Sequence, residues 1–130
     1  MQKDFTLPQQ PPYKMIDKVI NYDIQNIRCS YRITDSNPLV ENGYLTSEGM
    51  IECMAQVAAA KASIESEESG IGYLVLIRSF ECNRKVVTGE TIEPELKILH
   101  DVHPFKIFEA AIWLGDNKIA AGEIRTFDKS

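Results

Sequence analysis

Residues 49–60, Gly-Met-Ile-Glu-Cys-Met-Ala-Gln-Val-Ala-Ala-Ala, constrain this fold more than any other stretch. They lie in a run from Thr46 to Ser63 that contains no proline and is dominated by Met, Ala, Ile, Gln and Glu. Thr46 or Ser47 can cap its start through a side-chain oxygen. The spacing predicts a helix over about 47–63, and that helix is apolar almost all round. Such a helix is buried rather than laid on a surface. Its alanines let other backbone come close. An acidic tail, Glu65 to Ser69, is expected to be solvated, and Gly70 and Gly72 to end the segment.

The remaining pattern is β. Pro8, Pro11 and Pro12 hold the first dozen residues extended. A strand is expected from Met15 to about Tyr22. A second spans Gln25 to Thr34, with Ile27, Cys29, Tyr31 and Ile33 on one face. Asp35-Ser-Asn-Pro38 breaks it, and Leu39 to Leu45 reads as loop with Asn42-Gly43 as its turn. Beyond Gly72, the apolar run Tyr73 to Ile77 predicts a buried strand that continues through Cys82. Further strands are expected over Thr91 to His100 (Ile92, Leu96 and Ile98 on one face), Phe105 to Leu114 (Phe105, Ile107, Ala111 and Trp113 alternating) and Ile119 to Phe127. Gly115-Asp-Asn-Lys118 is a hairpin signal. Links of this length force antiparallel pairing. Two strands, one buried helix and four strands predict an α+β hotdog fold, an antiparallel sheet wrapped around one central helix. One sheet cannot cover such a helix on all sides, so a homodimer is expected.

Composition limits the function. At 130 residues, 44% hydrophobic and 25% charged, the chain reads as a single domain over 1–130, able to bury a core without a metal or disulfide staple. A net charge of −5 argues against nucleic acid or an anionic membrane as partner, and no apolar run is long enough to span a bilayer. Cys29, Cys53 and Cys82 are odd in number and have no metal-type spacing, and the N-terminus has no secretory h-region. A cytoplasmic protein with reduced thiols is the expectation.

Glu52 is the first candidate for chemistry. A carboxyl among Met, Ile and Ala is expected to have a raised pKa, suited to acid or base work, with Gln56 one turn on. Against this, Glu48, Glu52, Gln56 and Ser63 share one helical stripe and read equally as a solvated edge. The helix N-terminus is the second candidate. N–H groups around Ser47 to Gly49 can polarise a carbonyl, and the small residues Thr46, Ser47 and Gly49 leave room for a ligand; a capped start with no ligand is the competing reading. His100 and His103 flank a turn and read as surface imidazoles. Cys53 reads as an inert core thiol. Asn83-Arg84-Lys85 is a basic hairpin tip that could touch an acidic carrier protein. No metal-ligand cluster, phosphate-cradling glycine loop or Gly-x-Ser-x-Gly elbow is present, so no metal or cofactor is expected.

Three stretches carry a family resemblance. Leu7-Pro-Gln-Gln-Pro-Pro-Tyr-Lys-Met-Ile-Asp17 resembles the opening of hotdog 3-hydroxyacyl-(acyl carrier protein) dehydratases, commonly L-P-H-x-P-P followed by apolar residues and Asp. Gly49-Met-Ile-Glu-Cys-Met-Ala-Gln56 resembles their helix motif, an apolar run and then E-x-M-A-Q. Gly72 to Cys82 is similar to a divergent branch, the dehydratase-like proteins of aryl-polyene pigment clusters. The resemblance implies removal of water from 3-hydroxyacyl thioesters, carried on acyl carrier protein or CoA, in fatty-acid or polyene assembly. It implies that Glu52 is the helix carboxyl, working with a histidine from a partner subunit, and that the thioester carbonyl sits near Ser47. The family histidine lies in a G-H-F-P-like loop before the helix. Here that loop is Glu41-Asn-Gly-Tyr-Leu45, shorter and without histidine, and Gln9 replaces the histidine of the opening motif. Tyr44 and Asn42 are the candidate stand-ins, with Ser47, Gly49 and Gln56 as substrate contacts. Two other functions fit the residues: a non-catalytic acyl-binding partner in a heterodimer with an active dehydratase, and a hotdog thioesterase in which Glu52 activates water.

Overall fold

The proline-free run folds as one helix, α1 (Ser47–Ser66), three residues longer than expected. The structure, a computed structural model, describes residues 5, 7, 9–66 and 73–128. The expected stop at Gly70 and Gly72 lies outside them. Before the helix come β1 (Lys18–Asp23), β2 (Asn26–Arg32), β3 (Val40–Glu41) and β4 (Tyr44–Leu45). After it come β5 (Tyr73–Cys82), β6 (Val86–Val87), β7 (Thr91–Val102), β8 (Phe105–Leu114) and β9 (Asn117–Asp128). The six long strands form one sheet in the order β1-β2-β7-β8-β9-β5, and β3, β4 and β6 form a small second sheet. Every pairing is antiparallel. The helix packs on β2, β5 and β7, which is the hotdog arrangement.

The core is the side chains that alternation places on the inner face. Ile27, Cys29, Tyr31 and Ile33 are buried together, as are Ile92 and Leu96 of β7. From α1, Met50, Cys53, Met54, Val57, Ala58 and Ala60 meet them. Each large side chain so buried stabilises by about 1.5–3 kcal/mol.

Three expectations are corrected. Met15 and Ile16 are buried but precede the first strand, which begins at Lys18; they form a strap across the helix. In β8 the core face is Phe108, Ala110 and Ile112, not Phe105, Ile107, Ala111 and Trp113. That strand is apolar on both faces, so alternation cannot select one; the outer face keeps Phe105 exposed against Phe127, centroids 5.0 Å apart. The loop over 39–45 is a tight hairpin, with Asn42 (φ 52°) and Gly43 (φ 80°) supplying the left-handed turn that joins β3 to β4. At the other end of the large sheet, β5 is an edge strand. It pairs only with β9, and Leu76 is 64% exposed.

Candidate functional site

The start of α1 is set by a relay of hydrogen bonds from the core. The Asn37 amide donates to the buried Tyr31 hydroxyl (2.7 Å), and Asn37 Oδ1 accepts from Leu39 N–H (2.7 Å). Leu39 C=O in turn accepts from both the N–H (3.0 Å) and the Oγ1 (2.9 Å) of Thr46. Thr46 Oγ1 then accepts from Gly49 N–H at 3.1 Å, so Thr46, not Ser47, is the cap. Among the described residues this leaves the N–H groups of Ser47 and Glu48 as the unpaired donors of the first turn. Ser47 is exposed. Gly49 is buried, and its space is not open to a ligand: a Cβ there would lie 2.5 Å from Leu45 Cδ1 and 3.2 Å from Leu39 Cβ. The glycine exists for close packing of the β3–β4 hairpin on the helix.

One turn further on, Glu52 and Gln56 are joined. The Gln56 amide nitrogen donates to Glu52 Oε2 (2.9 Å) and to Tyr13 C=O (2.9 Å), and its oxygen accepts from Met15 N–H (2.7 Å). The partners fix which end of the amide is which: a backbone N–H requires an acceptor, and a carboxylate and a carbonyl require donors. Both amide hydrogens are therefore occupied by the protein, and Gln56 is 1% exposed. The idea of a solvated Glu48–Glu52–Gln56–Ser63 stripe does not hold, because Gln56 and Ser63 are buried. Glu52 is half-buried, with Oε2 anchored and Oε1 without a partner among the described residues. It sits on a helix face, with Ile51, Ala55, Ala59 and Ala62, that the chain itself only half covers.

Cys53 lies behind this face, fully buried, donating to Met15 C=O at 3.4 Å. Burial, with smaller contributions from the charges of Cys29, Glu52 and Asp17, pushes its thiol well above the usual range, so it is a packing residue.

The other expected residues are not brought to Glu52 within one chain. Asn42 and Tyr44 are exposed on the β3–β4 hairpin, with Lys85 Nζ 4.9 Å from the Tyr44 ring centroid. Among the described residues, no hydrogen bond or ion pair links either to Glu52. His100 and His103 are exposed at the β7–β8 turn. Lys106, just past that turn, reaches Glu65 near the end of α1 (3.5 Å), and at 1.5 Å per residue Glu65 is about 20 Å along the helix from Glu52.

That far end carries an arrangement with no clear signal in the sequence. Lys61, 2% exposed, pairs with Glu65, whose Oε2 also accepts from the Tyr22 hydroxyl (2.8 Å). Lys61 Nζ lies 5.9 Å from the Tyr22 ring centroid and 5.8 Å from that of Phe108. Glu65 is thus held in the protein, not solvated as expected. The i,i+4 spacing of Lys61 and Glu65 brings them onto one face, and the packing of Tyr22 and Phe108 buries the pair.

Comparison with known proteins gives a consistent result. The family model described as ApeP-like, ApeP dehydratase, matches residues 2–130. A thioester dehydrase, itself uncharacterised, from Halalkalibacterium halodurans is 25% identical over 127 residues, 91% of this chain and 81% of that protein. The 3-hydroxyacyl-[acyl-carrier-protein] dehydratase FabZ of Dichelobacter nodosus is 28% identical over 134 residues, 91% and 88% of the two chains. Among solved structures, the dehydratase heterocomplex ApeI:P from Xenorhabdus doucetiae superposes with a TM-score of 0.78 at 20% identity, covering 95% of this chain and 88% of that one.

Proposed function

This chain belongs to the ApeP-like dehydratase family, and from that premise we propose that it is the carboxylate-bearing subunit of a dehydratase for 3-hydroxyacyl thioesters whose histidine comes from a partner chain. The observation that carries the reading is Glu52: one oxygen is anchored by Gln56, the other has no partner among the described residues, and the helix face around it is half covered. Dehydration breaks C2–H and C3–O and forms C2=C3, so it needs a base for the α proton and an acid for the departing hydroxyl. In the proposal the Glu52 carboxyl protonates the hydroxyl and the partner's imidazole takes the α proton. The first-turn N–H groups of Ser47 and Glu48 hold the thioester carbonyl and stabilise the enolate oxygen that develops there. The hairpin bearing Asn42 and Tyr44 lines the cleft of the neighbouring subunit, where Asn42 can only orient water or hydroxyl.

Assembly supplies the cover that one chain lacks. The outer edge of β5 offers unpaired backbone groups beside an exposed Leu76, an invitation to pair with a second subunit. In the proposal that subunit is a related dehydratase that bears the histidine this chain's loop lacks; the solved structure that this chain resembles is itself a dehydratase heterocomplex. The acyl group is carried on acyl carrier protein or CoA, in fatty-acid or polyene assembly. The setting is cytoplasmic, in keeping with three free thiols. Among the described residues no helix is long and apolar enough to cross a membrane.

The test is hydration of a 2-enoyl thioester, followed as loss of conjugated absorbance. The protein alone is expected to be weak, and its mixture with a histidine-bearing hotdog dehydratase active. Glu52→Gln in the mixture should lower kcat by about 10²–10⁴, the usual worth of a positioned acid or base. A mixture indifferent to Glu52→Gln would make this chain an acyl-binding partner without catalytic groups. Release of free thiol without loss of the double bond would identify a thioesterase instead.

A further inference from the structure

The amide of Gln56 has three protein partners on two separate segments. Two are backbone groups of the strap that crosses the helix, Tyr13 C=O and Met15 N–H; the third is Glu52. The strap is itself fixed from Met15 onward. Met15 and Ile16 are each 1% exposed in the core, and Asp17 N–H donates to Ser30 C=O at 2.8 Å. Beyond it, Asp17 Oδ2 accepts from Arg32 N–H at 2.7 Å. A primary amide has two hydrogens, 120° apart on a rigid plane. With one hydrogen directed at Tyr13 C=O and the oxygen directed at Met15 N–H, the direction of the second hydrogen is no longer free. That second hydrogen meets Glu52 Oε2.

We propose that Gln56 is a positioning residue which transmits the docking of the 13–15 strap to Glu52, turning the carboxylate so that its Oε1 faces the substrate. This rests on the reading of Glu52 as the catalytic carboxyl and adds to it a cause for the carboxyl's orientation. The strap thereby becomes part of the site although none of its side chains need touch substrate. A carboxyl misplaced by 1 Å loses on the order of 10²-fold in rate, so an orienting contact of this kind reads out in turnover rather than in binding.

The experiment uses the full chain with a histidine-bearing dehydratase, the enoyl-thioester hydration assay, and amide hydrogen exchange at Met15. Gln56→Leu removes all three bonds at similar volume. It should lower kcat about 10- to 100-fold with KM within about twofold, and speed exchange of Met15 N–H. Gln56→Glu keeps the acceptor for Met15 N–H but loses both donors. It should keep Met15 protected and still lower kcat, which also covers the case in which Gln56→Leu fails to fold. An unchanged kcat in a folded Gln56 variant would overturn the proposal, as would a loss confined to KM. If Glu52→Gln leaves the rate unchanged, the catalytic reading itself fails. In that case the clamp only holds the strap.

Discussion

Two of the glutamates on α1, Glu52 and Glu65, stand thirteen residues apart in opposite surroundings. Glu65 is closed off: Lys61, Tyr22 and Lys106 engage both its oxygens. Glu52 is half engaged, with one oxygen on Gln56 and the other open on a partly covered face. A carboxylate whose hydrogen-bonding capacity is filled is a structural charge, because any reaction would have to break those bonds first. A carboxylate held at one oxygen is oriented and still available. The two ends of α1 therefore differ in kind, the far end fixing the helix in the sheet and the near end leaving a carboxylate oxygen open, as the proposed catalytic role requires.

Substitutions at each end sharpen this contrast. Glu65→Gln leaves the Lys61 ammonium buried without its counter-charge and should cost about 3–5 kcal/mol in urea unfolding, a size typical of a broken buried pair. Glu52→Gln is nearly isosteric and keeps an oxygen to accept from Gln56, so it should change stability by no more than about 1 kcal/mol. Equal losses at the two sites would erase the distinction. At the near end, Gly49→Ala drives a methyl against Leu45 and Leu39 and should destabilise by about 1–3 kcal/mol, the usual range for overpacking, measured by the same unfolding series. A neutral result would mean that the β3–β4 hairpin is not wedged against the helix.

The remaining contrast concerns pH. Burial first, then the hydrogen bond and charge of Glu65 and the charge of Asp23, push the Tyr22 phenol up from 10.0 to about 12. The unfolded chain then loses that proton near 10 while the folded chain keeps it, so the folded state binds more protons and stability falls as pH rises between about 10 and 12. Tyr22→Phe should flatten that part of the stability curve relative to wild type. A wild-type curve that is level over this range would show that Tyr22 is not held by the buried cluster.

Much of this was legible in the chain. The all-round apolar character of residues 49–60 required a buried helix, and alternation in β2 and β7 picked the correct inner face. Asn42-Gly43 and Gly115 marked real turns, since few residues accept positive φ. The illegible parts share one cause, that a pattern reports periodicity but not neighbours. In β8 both faces are apolar, so only the closed core separates Phe108, Ala110 and Ile112, which are buried in it, from Phe105 and Trp113. The run Tyr73 to Ile77 read as a buried strand, yet Leu76 is exposed in the single chain because β5 lies at the sheet edge, and what covers that edge is not encoded by a local pattern.

The same division holds at the site. By itself, the amino-acid sequence determined that Glu52 and Gln56 stand one turn apart on the helix, and that no histidine precedes it in the loop over 41–45, because residue type and helical spacing are local properties. Only the tertiary structure decided that Gln56 is buried against the strap instead of lining a solvated edge, that Gly49 is filled by Leu39 and Leu45, and that Glu65 is closed where Glu52 is open. Those outcomes depend on which distant backbone groups arrive beside the helix. A segment forty-one residues away in the chain supplies the N–H that fixes the Gln56 amide, and its arrival is a consequence of how the sheet closes around the helix.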